Sequence, residues 1–439
     1  MKNKKVLNRL ILPILLLAVL PLRAQGDTQG ELPEPLTLDY ALSLADEAHP
    51  VLEMQRSRLD QRLSKQQMVA AESDWNLGLE ASLRAVHPSY KSLTSTNNDS
   101  SLRLLMRKRL YDFGRSDAQQ QAADAAYRGS EWSYLDARQQ RRLAILGNYL
   151  DVLLADLQYI RDNESMTMGF LHWDKAKQRS EMGQLSDIEV LELESIFQQR
   201  RREWQQSQNL QRASRLKLAI SLNRPTQLSN TLADPGLKLD RELPEVNQLT
   251  EEALNSNPRL QALRQQVEAD QAQVAAAKAS DGPTVHGELE AAVYNRTTST
   301  RDPLAATLLL EVPLFGGTGD AEVARQRALL REQQAELASA ELDIRQGILD
   351  LWLEIRTLKI QQEEMEALGA YRDLYIDRSR ALYELEVKSD LGDAETQISD
   401  YRMKKAATDY DLALAWARLD ALRGQLIKPE ETADEEKQQ

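Results

Sequence analysis

Trp75-Asn76-Leu77-Gly78-Leu79-Glu80-Ala81-Ser82-Leu83-Arg84-Ala85 switches character at every residue. In an extended strand, Trp75, Leu77, Leu79, Ala81, Leu83 and Ala85 share one face, and Asn76, Gly78, Glu80, Ser82 and Arg84 share the other. One face is apolar and the other wet, the pattern of a membrane β-strand with a polar interior side. Val285, Gly287, Leu289, Ala291 and Val293 alternate in the same way with His286, Glu288 and Glu290. Ser101–Leu110 and Ala305–Leu314 read as partner strands of about ten residues, the length a tilted transmembrane strand needs. Short polar loops join each pair, one holding 95–100 and the other 295–300. Alternation alone also fits two soluble hairpins capping a helical protein. In lipid, however, four strands leave open edges, and single-chain barrels start at eight strands. A membrane reading therefore demands several copies in one barrel.

The chain is duplicated. Ala45–Leu52 (ADEAHPVL) answers Ala253–Leu260 (ALNSNPRL), and Leu110-Tyr111-Asp112-Phe113-Gly114 answers Leu314-Phe315-Gly316-Gly317. Ile145-Leu146, Tyr149-Leu150 and Val152 answer Ile348-Leu349, Trp352-Leu353 and Ile355, and Ser186-Asp187-Ile188 answers Ser389-Asp390-Leu391. Their common order and nearly constant offset mark an internal repeat. We divide the chain into a signal segment (1–24), a first repeat (25–222), an equatorial linker (223–247), a second repeat (248–426) and an acidic polar tail (427–439). The first repeat carries strands at about 75–87 and 101–110 and a long helix at about 115–179. The second carries strands at about 284–294 and 305–314 and a long helix at about 320–383. Each repeat opens with a shorter helix (Leu38 to about Ser73; Leu249 to about Ser280). Each closes with another (about Ser186–Ser221; about Ser389–Leu426). A 65-residue helix would span roughly 100 Å at about 1.5 Å per residue. The shorter helices, stacked end to end, match it. Thin apolar content on such lengths suits a hollow barrel with narrow seams.

The amino terminus has a basic head (Lys2, Lys4, Lys5, Arg9), an apolar run from Leu10 to Leu20, and Ala24 as a cleavage point. The full chain carries −13. Removal of 1–24, with its five Lys and Arg, leaves −18, an unfavourable balance for nucleic-acid binding. There is no cysteine, hence no disulfide, thiolate metal site or lipidated cysteine. No segment after the signal reads as a membrane-spanning helix. His49, His87, His172 and His286 lack metal-ligand spacing, and no nucleophile elbow, phosphate loop or dinucleotide fingerprint occurs. We expect no enzyme activity, metal or cofactor.

LTLDYALSLADEAHPVL (Leu36–Leu52), the LYDFGR and PLFGG turns, and RSEMGQLSDIEVLELE (Arg179–Glu194) together resemble the TolC family of outer-membrane efflux proteins over nearly the whole mature length. The resemblance implies a mainly helical homotrimer. Three chains would build a twelve-stranded barrel in outer-membrane lipid and a twelve-helix periplasmic tunnel in a Gram-negative envelope. It implies a periplasmic adaptor and an inner-membrane pump of the RND or ABC type as partners. On the matching positions, Asp390 and Asp393 become pore-constriction acids, although acids in a helix's first turn also simply complement its dipole. Met182, Gly183, Gln184, Leu185 and Ser186, with Val387, Lys388 and Ser389, become adaptor-docking tips. Gly183 also reads as a helix C-cap, and Glu386 stands where the family often has glycine. Arg103, Arg107 and Arg109 share one strand face and read as a lumen-facing basic stripe. Two other readings remain: a periplasmic coiled-coil adaptor and an envelope-spanning structural protein.

Overall fold

The structure, a computed structural model, describes residues 32–87, 96–227, 229–296, 301–314, 319–385 and 391–427. The signal segment, most of the tail, and Glu386, Val387, Lys388, Ser389 and Asp390 lie outside the described residues.

The order of elements is α1 (Leu38–Ser43), a short 3-10 turn, α2 (Pro50–Glu72), β1 (Asn76–Ser82), β2 (Ser101–Tyr111), α3 (Arg115–Glu181) and α4 (Asp187–Ser221). It repeats as α5 (Val246–Ser256), α6 (Pro258–Ala279), β3 (Thr284–Tyr294), β4 (Leu304–Glu311), α7 (Gly319–Glu384) and α8 (Leu391–Leu422). At 67 residues, α3 is about 100 Å long. It is the hub of the helical wall, touching α2 and α6 in one half of its length and α4 and α8 in the other. In turn α7 packs on α5, α6 and α8.

The opening helix of each repeat is broken, contrary to the continuous helix read from sequence. Proline has no N–H and pushes its predecessor to extended backbone. His49 (φ −142°, ψ 139°) therefore starts α2, its Nδ1 accepting from the Val51 N–H at 3.2 Å. Asn257 (φ −61°, ψ 122°) starts α6, its side chain accepting from the Leu260 N–H at 3.1 Å. Pro50 and Pro258 are thus helix starts. The break lets each chain turn where the closing helix of its repeat ends. Asn223 Nδ2 donates to Ala48 O (3.0 Å), and Asn257 Nδ2 donates to Leu422 O (2.9 Å).

Two cores sit at these breaks, near the middle of the long helices. The first gathers Leu36, Ala41, Leu44, Ile145, Tyr149, Leu150, Val152, Leu218 and Leu222. The second gathers Leu249, Leu260, Ile344, Ile348, Leu351, Ile355, Leu412, Trp416 and Leu419. Linker residues strap both. Leu36 bridges Leu232 in parallel, and the Trp352 Nε1–H donates to Pro244 O at 3.0 Å. Contrary to the sequence reading that no segment after the signal reads as a membrane-spanning helix, α3 is long and apolar enough to cross a membrane by length and composition. Composition alone does not rule out a span there, but Ile145, Tyr149 and Val152 of α3 are fully buried in the first core.

The four strands form one antiparallel sheet in the order β1-β2-β3-β4. The first strand is shorter than the expected 75–87. After Ser82 the ladder breaks, and the Arg84 N–H turns to the Ser100 hydroxyl at 3.3 Å. Pairing resumes at Ala85–Asn98. The fourth strand ends at Glu311 rather than 314, two residues before Pro313, which cannot donate to a ladder.

Candidate membrane sheet and tunnel ends

Register decides which side chains share a face. Arg103 opposes Glu80 and Ala292, and Arg107 opposes Asn76 and Glu288. Leu289 opposes Met106 and Ala306, and Gly287 opposes Lys108 and Leu308. One side of the sheet therefore collects Leu77, Leu79, Leu102, Leu104, Val293, Leu304, Leu308 and Leu310. All eight are exposed, Leu308 at 71% and Leu304 at 75%. A continuous apolar surface of this size marks a membrane or protein contact. Lys108 is the charged exception. It sits near the end where β1 begins, its Nζ 4.0 Å from Asp74 Oδ1 and 5.6 Å from the centre of the Trp75 ring. A long cationic stem with its head at an aromatic-rich interface is a snorkelling arrangement.

The opposite face is polar, and it amends the basic stripe. Arg103 Nη2 lies 2.7 Å from Glu80 Oε1, Arg107 Nε 2.8 Å from Glu288 Oε2, and Arg109 Nη1 3.3 Å from Asp112 Oδ2. Each expected free cation faces a carboxylate. Two of those partners come from neighbouring strands, so spacing within β2 could not reveal them. Tyr294 Oη adds a 2.9 Å hydrogen bond to Glu290 on the same face.

At the loop end, Asp99 binds both hairpins together, a feature the sequence reading missed. The Arg301 guanidinium meets its two oxygens at 2.6 and 3.2 Å, and Arg84 approaches to 3.8 Å. Asp99 is 5% exposed. The Asn295 N–H donates to Ser100 O at 2.9 Å, and Arg301 stacks 5.1 Å over Tyr294. A two-point arginine–carboxylate bond fixes orientation as well as charge.

At the other end of the wall, α3 stops in a Schellman turn. Gly183 takes φ +71°, a region only glycine enters cheaply. The Gly183 N–H donates to Ser180 O (2.8 Å) and the Gln184 N–H to Arg179 O (2.9 Å), which satisfies the helix's last carbonyls. Ser186 then opens α4 with a full capping box: the Glu189 N–H donates to Ser186 Oγ and the Ser186 N–H to Glu189 Oε2. Hydrogen bonds from the Ser186 backbone and hydroxyl hold the Glu189 carboxyl below the usual range. The rigid turn presents Met182, Gln184 and Ser186 outward. Met182 is 63% exposed, flanked by exposed Ile188 and Leu191.

Of the two candidate constriction acids, Asp393 is described. It lies in the first turn of α8, with Oδ2 3.8 Å from His172 Nε2 of α3. Below it, Arg161 of α3 reaches Asp400 of α8 at 3.6 Å and holds buried Asp162 at 2.6 Å. The His172–Asp393 and Arg161–Asp400 partners stand more than 200 residues apart, and no local pattern announced them.

Residues 249–425 match the family described as Outer membrane efflux protein. The fold matches VceC, the outer membrane protein of Vibrio cholerae, with a TM-score of 0.70 at 17% identity, covering 89% of this chain and 96% of that one. It matches the CmeC outer membrane channel of Campylobacter jejuni with a TM-score of 0.71 at 12% identity, covering 91% and 89%. It also matches the open state of the MtrE outer membrane channel of Neisseria gonorrhoeae at 0.69 and 16%, covering 89% of each. No curated protein sequence matches significantly. The shared fold is a four-stranded antiparallel sheet with one exposed apolar face, continuous with a wall of long helices. Residues 249–425 carry the match to the Outer membrane efflux protein family, and the fold of these outer membrane channels extends over about nine-tenths of the chain.

Proposed function

We propose that this protein is the outer-membrane channel of a tripartite efflux or type I secretion system, a passive export conduit across the periplasm and outer membrane. The observation that carries the reading is the sheet, whose apolar face ends in two unpaired edges, β1 and β4. Open edges are not tolerated in lipid, so other copies must close them. The helical wall supports the same closure. At one border stand α2, which leads into β1, and α4, which follows α3, and at the other stands α7. Unlike borders join head to tail and generate a ring. Exposed Leu342, Leu349, Leu353, Ile360, Tyr371 and Leu374 run along α7 at coiled-coil-like spacing. They form the seam that meets the next copy. Three copies supply twelve strands and twelve helix-length staves.

In this reading the apolar tip at Met182, Gly183, Gln184, Leu185 and Ser186, with Val387, Lys388 and Ser389 of the second tip, receives a periplasmic adaptor. An RND or ABC pump in the inner membrane drives the flux. Asp393, with Asp390, lines the narrow periplasmic entrance. Cells bearing crosslinkable residues at Gln184 and Ser186 yield adaptor adducts. Asp390→Ala with Asp393→Ala raises single-channel conductance or weakens cation block, and unchanged conductance and ion preference would reject the constriction role.

The sheet test uses neighbouring residues. Leu308→Arg puts a charge on the lipid side, at a cost of about 2–4 kcal/mol near mid-bilayer, and blocks outer-membrane assembly. Thr307→Arg points to the polar side and assembles. Equal tolerance of both would remove the membrane reading.

A further inference from the structure

The helical wall holds a cleft of about 1190 Å³ between α2 and α6 over the face of α3, reaching the flank of α7. Its floor is low because Gly129, Ser130, Ser133 and Ala137 put almost no side chain there. Arg58, Arg62 and Lys65 stand along one bank at i, i+4 and i+7 of α2, which places them on one helix face. Arg259 of α6 faces them, and Arg141 closes the equatorial end. Among the described residues Arg58, Arg62, Lys65 and Arg259 form no ion pair, and Arg58 has only a 3.5 Å contact with Gln55. The acids at the cleft are Asp136 and Glu336. Burial pushes the Asp136 carboxyl up, which weakens its charge further. In a chain of net charge −13, five cations against two acids is a local reversal of sign. Val51 and Leu263, with Ala126 and Ala262, add apolar lining.

The cleft floor lies on the stripe of α3 that leads up to the polar side of the sheet. On that side Arg109 reaches Ser116 Oγ at 3.1 Å, in the first turns of α3. Ser130 and Ala137 of the cleft floor lie two and three heptads further along the same helix stripe, within the drift of about 20° per heptad. If the polar sheet face lines the barrel, the cleft lines the tunnel.

We infer that this cleft is a binding station for amphiphilic organic anions, such as aromatic sulfonates or carboxylates, passing along the tunnel. The assignment rests on the channel reading for its place in transport. The cation rows attract the charged group from solution, and the low floor, with Val51, Leu263, Ala126 and Ala262 beside it, accepts the ring or chain behind it.

The test is calorimetric titration of the full chain in lipid nanodiscs with naphthalene-1-sulfonate and with 1-naphthol. The native protein binds the sulfonate more tightly, and salt weakens that preference. Arg58→Gln, Arg62→Gln and Lys65→Gln together lower sulfonate affinity about tenfold and leave naphthol binding unchanged. If the triple variant misfolds, Arg62→Gln alone and the salt dependence of the native protein give the same reading. Equal affinity for both probes, or sulfonate binding unmoved by substitution and salt, overturns the assignment. A protein that forms conducting membrane oligomers yet shows no preference loses the station and keeps the channel. A protein that never enters membranes loses the channel, and titration of its soluble form still decides the cleft.

Discussion

The two repeats solve one packing problem with different chemistry. In the second, the middle of the long helix buries Ile344, Ile348, Leu351, Ile355 and Leu358, and Trp416 fills the space from α8. In the first, the corresponding stretch of α3 carries Arg138, Gln139, Arg141 and Asn148, all buried. Ion pairs and carbonyl bonds hold the arginines. Arg138 Nε and Arg142 Nη2 bond the two oxygens of Asp46 at 2.8 and 2.6 Å. Arg141 donates to the Glu47 and Leu44 carbonyls, and Arg224 reaches Glu47 at 2.8 Å. The second repeat keeps only an outer echo of this, Arg423 with Glu252 and Arg241 with Asp420. An aliphatic seam is indifferent to register, whereas hydrogen-bonded ions accept one geometry. The first repeat therefore locks the position of α1 and α2 on α3 through directional bonds, and the second relies on burial.

Removing the lock should cost most. Asp46→Ala removes the carboxylate shared by buried Arg138 and half-buried Arg142 and destabilises the protein by about 3–5 kcal/mol. Glu252→Ala, at a more exposed pair, costs about 1 kcal/mol or less. Urea unfolding of the detergent-extracted protein would compare them, and equal losses would erase the contrast between repeats.

Acid should find the same difference. Burial raises the Asp46 pKa, but hydrogen bonds from Arg138 and Arg142 outweigh it and hold the carboxyl below its ordinary value. A depressed carboxyl stabilises the fold above its unfolded pKa, near 4. That contribution is lost as pH falls through the folded value. Stability should therefore drop below about pH 4 in the native protein, and Asp46→Asn should flatten that part of the profile.

Tyr149 and Trp352, matched in the repeat, offer a smaller contrast. The Tyr149 hydroxyl lies 2.8 Å from the carbonyl oxygens of both Leu36 and Ala233, and burial pushes its pKa up to about 12. Tyr149→Phe removes the hydroxyl's hydrogen bond at a buried site, while the Leu36 carbonyl keeps the Ala233 N–H, and should cost about 1–3 kcal/mol. Trp352→Phe loses one bond at a partly buried site, about 1 kcal/mol. Thermal scans of the two variants read the order directly. The smallest effect belongs to the tip, where Ser186→Ala removes a cap worth about 1 kcal/mol. It should raise hydrogen exchange at the start of α4 without moving global stability.

Much of this architecture is legible in single residues. The alternation from Trp75 to Ala85 marks a two-faced strand because side-chain direction has period two. The match of Tyr149 with Trp352 marks the duplicated anchor, and Gly183 marks the turn because few residues accept positive φ. What escaped reading is set by distance along the chain. The Glu80 and Glu288 partners of the Arg103–Arg107 stripe, the Asp99–Arg301 clasp and the His172–Asp393 contact exist only once register and packing are fixed. Pro50 and Pro258 escaped differently: the helical composition around them hides a break that the missing N–H enforces.

The central claim is that the sheet's two edges are closed by other copies within the outer membrane. The direct measurement is the native mass of the protein extracted from outer membranes in mild detergent, with one cysteine in α7 and one in α2 introduced into this cysteine-free chain to report proximity between α7 of one copy and α2 of the next. The account predicts a mass of three chains and a disulfide-linked or crosslinked ladder ending at three. A monomer in the soluble fraction, with no crosslinks between copies, would contradict it.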